Sequence, residues 1–141
     1  MKILGLDIGD RWIGSAVSDE IGLTTRPYKT VEAKDLLIFL KETLHKEEIK
    51  TVVVGYPKTM GGSESDQTKK VVLHVEELKK KMPEIVWVLW DERLTSKHAS
   101  QLKKTKTKEE KMHSHSIAAA FILKTYLDYL DFQKSLLQDQ D

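Results

Sequence analysis

Asp7 closes the run Lys2-Ile3-Leu4-Gly5-Leu6-Asp7-Ile8-Gly9, and Glu92 follows the apolar run Ile85-Val86-Trp87-Val88-Leu89-Trp90 by two residues. Each acid therefore stands at the carboxyl end of an apolar segment. Two such carboxylates can serve a hydrolase, bind magnesium, or form an ion pair with the adjacent Arg93. A buried carboxylate without a partner costs several kcal/mol or stays protonated, so Asp7 calls for a metal ion, a basic side chain or a hydrogen-bond donor. An Asx-type turn at a strand end accounts for it equally well.

The elements that must position these acids follow from periodicity. Three strand-like runs come first, 2–8, 12–18 and about 23–31, joined by turns at Gly9-Asp10-Arg11 and Glu20-Ile21-Gly22. Apolar residues on both parities of the first run mark a strand covered on both faces. Leu36, Leu37, Leu40 and Leu44 predict a helix over about 34–47. Thr51-Val52-Val53-Val54-Gly55 is a buried strand, followed by a polar loop to Glu64. Val71, Val72, Val75 and Leu78 place a helix at about 65–81, stopped by Pro83. After the strand 85–90, Thr95 or Ser96 caps a short helix to about Leu102, and a last helix spans roughly 114–131. The order βββαβαβαα predicts a mixed sheet covered on both faces, with ligands gathered at strand ends.

Composition narrows the class. The chain has 141 residues, 40% hydrophobic and 32% charged, which suits one globular domain. We expect that domain to occupy 1–132, with 133–141 a frayed polar tail. No run approaches the roughly 20 apolar residues of a membrane helix, and no secretory signal pattern opens the chain, so the expected location is cytoplasmic. Without cysteine there is no disulfide framework and no thiolate-held metal. The net charge of +1 does not advertise nucleic-acid binding. Such binding must come from local patches, of which Lys103-Lys104-Thr105-Lys106-Thr107-Lys108-Glu109-Glu110-Lys111 is the richest, and which a solvated loop between helices explains as well.

Four stretches carry a resemblance. They are Gly5-Leu6-Asp7-Ile8-Gly9 with Ile13-Gly14 and Ala16-Val17-Ser18-Asp19; Val53-Val54-Gly55-Tyr56-Pro57 with Met60, Gly62 and Ser63; Asp91-Glu92-Arg93-Leu94-Thr95 with Ala99; and Ile117-Ala118-Ala119 with Ile122-Leu123 and Tyr126-Leu127. In this order and spacing the chain resembles the YqgF family, also called RuvX, RuvC-like members of the ribonuclease-H superfamily. The resemblance implies a ribonuclease-H-like α/β fold, a mixed five-stranded sheet flanked by helices. It implies a metal-dependent nuclease that processes the 5′ end of the 16S ribosomal RNA precursor. Kinship to RuvC keeps cleavage of branched DNA by a dimer as an alternative.

By the same resemblance Asp7 is the first-strand acid and Glu92 the glutamate of the Asp-Glu-Arg motif, both expected as catalytic and metal-binding residues. Magnesium or manganese would be the cofactor, and nucleic acid the partner, with the protein a monomer or weak homodimer. Arg93 is a candidate phosphate contact, as are Lys58, Lys103, Lys104 and Lys106. One departure matters most. Aligning the last motif places His115 where the family usually carries an aspartate, so His115 is the third candidate catalytic and metal-binding residue. Imidazole suits manganese or zinc better than magnesium. Other outcomes are a general acid, a polar residue satisfied near a helix start, or weakened catalysis that leaves an RNA-binding module. His45, His74 and His98 sit on helices without ligand-like pairing and are expected on the surface, and Asp10 beside Asp7 is a turn residue or a spare ligand.

Overall fold

The computed structural model describes residues 1–56, 66–91 and 108–138, with the side chains of 108–113 excepted. Its strands are β1 (Ile3–Ile8), β2 (Trp12–Ser18), β3 (Thr25–Glu32), β4 (Thr51–Tyr56) and β5 (Val86–Asp91). A short 3-10 turn, Ala33–Asp35, leads into α1 (Leu36–Lys46); α2 spans Asp66–Lys81 and α3 spans Lys108–Gln138. The strands form one sheet in the order β3-β2-β1-β4-β5. β1 runs antiparallel to β2 and parallel to β4, and β4 runs parallel to β5. The mixed sheet expected from the element order is therefore the one observed.

Both faces of the sheet are covered, and strand parity decides which residue meets which layer. Leu4, Leu6, Ile8, Val52 and Val54 pack with Leu36, Leu40 and Leu44 of α1 and Val71, Val75 and Leu78 of α2. The opposite parity, Ala16 and Val53 with Val88 and Trp90, packs against Ala119, Ile122, Leu123 and Leu127 of α3. Continuous apolar runs were needed because a strand between two helical layers has no solvent face. The small, apolar helical face expected from Ala118, Ala119 and Ile122 is buried, each being at most 3% exposed.

β3 is an edge strand and is built as one. Its ladder with β2 slips between Gly14 and Ala16, and Ser15 fills the gap, its hydroxyl donating to the Lys29 carbonyl at 2.6 Å and accepting from the Lys29 N–H at 3.0 Å. Pro27, which has no N–H to donate, sits beside this bulge.

The last helix is longer at both ends than the span of roughly 114–131 expected from periodicity. It begins at Lys108 rather than near 114, so Lys108 and Lys111 are helical rather than loop. It also continues to Gln138, through most of the segment expected to fray from 133. Lys, Glu, Gln and Leu are good helix formers, so the backbone continues past the point where packing stops. Residues 131–138 are all exposed, which is why apolar periodicity gave no sign of them.

Candidate active site

The chemistry gathers at the carboxyl end of β1. Asp7 is the fifth residue of that strand and pairs with Gly14 of β2 and Gly55 of β4, and Gly55 pairs in turn with Trp90 of β5. The parity that places Trp90 against α3 places Asp7 there too. Asp7 is 5% exposed, and the Nδ1 atom of His115 lies 3.2 Å from its Oδ2. Residues 108 apart in sequence thus share one corner of the fold.

The sheet beneath α3 explains why the imidazole reaches this corner. A β-carbon on Gly14 would collide with the carbonyl carbon and oxygen of His115, and one on Gly5 would stand 2.9 Å from the Leu123 β-carbon. Glycine at these two points lets the helix backbone lie almost on the sheet. The β1–β2 turn closes the other side. The Gly9 N–H donates to the Trp12 carbonyl at 3.0 Å, and His115 Cε1 comes within 3.4 Å of where a Gly9 β-carbon would be.

The hydrogen bond has one proton arrangement when Asp7 is ionised. An ionised carboxylate only accepts, so the proton in the Asp7–His115 hydrogen bond belongs to Nδ1. With the imidazole neutral, its lone pair is then on Nε2, which can bind a metal or take a proton. A carboxylate that orients a ligating histidine in this way is a common device of metal sites. Direct sharing of an ion by Asp7 Oδ2 and His115 Nδ1 is the alternative arrangement, in which the ion would stand in place of the Nδ1 proton. Among the described residues, no three His, Cys, Asp or Glu side chains converge on one point.

The other expected site residues divide clearly. Glu92, Arg93, Lys58, Lys103, Lys104 and Lys106 lie outside the described residues. So does His98, while His45 is exposed as expected. His74, expected on the surface, is half-buried, and its imidazole is held below the ordinary pKa by burial and then by the nearby Lys81 charge. Asp10 is exposed and faces Lys70 at 3.9 Å, a surface ion pair rather than a third ligand at the Asp7 corner. The contribution of Gly5 and Gly14 was not anticipated. Glycine within two apolar strands was the available signal, because it marks a place where another backbone comes close.

A sequence model of the RuvX family, described as Holliday junction resolvase, matches residues 1–129. The chain belongs to the RuvX family. A relative from Sulfurihydrogenibium is 40% identical over 135 residues, covering 93% of this chain and 92% of the relative. Another, from Acetivibrio thermocellus, is 36% identical over 138 residues, covering 91% and 96%. Both relatives are named "Putative pre-16S rRNA nuclease". The fold is similar to that of Thermus thermophilus RuvC, with a TM-score of 0.54 at 14% identity over 90% of this chain and 94% of RuvC. That likeness gives the RuvX chain the RuvC-like, ribonuclease-H type of mixed sheet. No described helix is long and apolar enough to cross a membrane.

Proposed function

We propose that this chain is a divalent-metal-dependent nuclease that hydrolyses phosphodiester bonds at the 5′ end of the 16S ribosomal RNA precursor, in the cytoplasm. The carrying observation is the buried Asp7 carboxylate with His115 Nδ1 at 3.2 Å, at a strand end of a RuvX fold. The names borne by the relatives support the substrate. The oxygen and nitrogen donors of Asp7 and His115 fit manganese at least as well as magnesium. Such an ion, when bound, polarises the scissile phosphate and lowers the pKa of a coordinated water.

The chain's own residues have distinct tasks. Asp7 supplies the anionic anchor in a position with little access to bulk water. His115 supplies Nε2 as ligand or proton carrier, its ring held in place by the Asp7 hydrogen bond. Glu92 is proposed as a further oxygen donor because it is next in sequence after Asp91, where β5 ends. Arg93, Lys58, Lys103, Lys104 and Lys106 are proposed phosphate contacts.

The test is cleavage of a 5′-extended 16S precursor by the full chain with magnesium or manganese. Asp7→Asn is expected to lose at least about a hundredfold in rate while still binding RNA, as removal of a primary charge-stabilising group does. Equal binding with no cleavage by either protein would leave an RNA-binding module instead. The description of the family model favours a second substrate, a four-way DNA junction. Running the same assay on a junction, with the oligomeric state measured on it, separates the two: junction resolution needs paired sites and hence a dimer.

A further inference from the structure

A row of aromatic rings lies beside the Asp7 corner, on the same face of the sheet. Trp90 of β5 stands two strands from Asp7 in register, through Gly55. At about 4.8 Å per strand, their α-carbons are about 10 Å apart. The Trp90 ring meets Tyr126 edge-on and Tyr129 at a tilt, both with centres 5.3 Å apart, and its indole N–H is held by the Thr125 hydroxyl. Phe132 follows Tyr129 as Tyr129 follows Tyr126, three residues on and about 4.5 Å further along the helix. Tyr129 and Phe132 are 45% and 59% exposed.

Packing within the chain accounts for the half-buried Trp90 and Tyr126 but leaves the two outer rings largely in water. One exposed ring is ordinary. Four in a row, the inner two already fixed, form a preorganised surface for flat apolar partners. The acids of this stretch face the other side of α3. Asp128 pairs with Lys124, which reaches the Leu23 carbonyl, and Asp131 lines a cavity with Glu20, Ile21 and Leu23.

Two occupants have the right chemistry, a second copy of the chain and the bases of a single strand. Aromatic side chains bury about 150–250 Å² each, so two partly exposed rings fall well short of the roughly 800 Å² per partner of a stable interface. Unpaired bases need only the ring faces, since every base has a π-face to stack. The row starts about 10 Å from Asp7 and ends at Phe132, about 26 Å of helix beyond His115. At about 3.4 Å per stacked nucleotide, that is about three to eight nucleotides from the bond to be cut. We propose that Trp90, Tyr126, Tyr129 and Phe132 form a base-stacking platform for a single-stranded stretch of RNA substrate. The platform rests on the nuclease reading and adds to it the place where unpaired bases lie.

The experiment measures binding of the full chain to a labelled single-stranded RNA and to an abasic strand of the same length, across a salt series with chelator present. Wild type is compared with Tyr129→Ala, Phe132→Ala and the ring-retaining Tyr129→Phe. Each alanine variant should lose at least about fivefold in affinity for the RNA. The slope of log affinity against log salt should not change, because stacking releases no counterions. On the abasic strand wild type and the alanine variants should bind alike, and Tyr129→Phe should bind RNA as wild type does. Equal affinity of all four proteins for RNA overturns the platform, and so does an equal loss on both strands, which would mark a role in folding alone. Self-association by light scattering that is lost in the alanine variants, with RNA affinity unchanged, gives the rings to a second copy. If wild type binds neither strand, the nuclease reading falls and the platform with it. A base-dependent loss in the alanine variants, together with wild-type cleavage by Asp7→Asn, would sustain the platform and reject the Asp7 site.

Discussion

Gly14 lies directly beneath the main chain of His115, so close that a β-carbon on the glycine would meet the histidine's carbonyl carbon and oxygen. Neither backbone can yield without moving α3 or β2. Gly14→Ala is therefore expected to destabilise the fold by about 3 kcal/mol, the upper range for overpacking. A urea unfolding midpoint checks it. A variant as stable as wild type would mean that the helix is not seated on the sheet as described.

His115→Asp should turn the site toward magnesium. Replacing the imidazole with a carboxylate places two acids side by side, which repel unless a cation lies between them. Without metal the variant should melt below wild type, and magnesium should recover more stability in the variant than in wild type. Titration calorimetry with each ion should show the manganese-to-magnesium affinity ratio falling by about tenfold. An unchanged ratio would count against His115 as a ligand.

The α3 helix is also pinned to the edge of the sheet by Trp90. Its indole N–H donates to the Thr125 hydroxyl at 2.9 Å, and its ring meets Tyr126 edge-on with centres 5.3 Å apart. Thr125→Val keeps the side-chain shape and removes the acceptor. The expected cost is about 1–2 kcal/mol, read from thermal unfolding alongside the Trp90 near-ultraviolet signal. A neutral result would show that the aromatic packing holds the helix unaided.

His74 makes stability depend on pH with a definite sign. Its folded pKa lies below the ordinary histidine value of about 6.5, first through burial and then through the Lys81 charge. Above that value the imidazole is neutral in both states and contributes no dependence. As pH falls through it, the unfolded chain takes up a proton that the folded chain resists, so stability drops until the folded pKa is passed. In His74→Gln the fall in urea midpoint between neutral and mildly acidic pH should be shallower than in wild type. An equal fall in both proteins would remove His74 as a cause.

The exposed end of α3 should be dispensable for folding. Residues 133–138 are helical yet fully on the surface. Ending the chain after Phe132 should cost less than about 1 kcal/mol. A larger loss that depends on protein concentration would instead show that this end packs against another molecule.

Periodicity located β1 and β4 well because a strand between two helical layers must be apolar on both parities; β5, equally apolar in sequence, is an edge strand whose residues are exposed or only partly buried. It located the middle of α3 by the same logic, through Ala118, Ala119 and Ile122. It missed the ends of that helix, where propensity rather than burial maintains the turns. It also placed His74 on the surface, since a polar residue beside Val71 and Val75 looks the same in sequence whether its ring is covered or not.

The division is clearest at the candidate site. Local sequence determined that Asp7 would stand at the end of a buried strand, and that His115 would open a small apolar helical face. Whether the two would meet was a matter of strand order, of the parity that directs Asp7 toward α3, and of glycine at 5 and 14 allowing the helix to settle on the sheet. Local patterning is set by neighbours a few residues away. The meeting of Asp7 with His115 is set by contacts across 108 positions, and only the packed sheet and helix decide those.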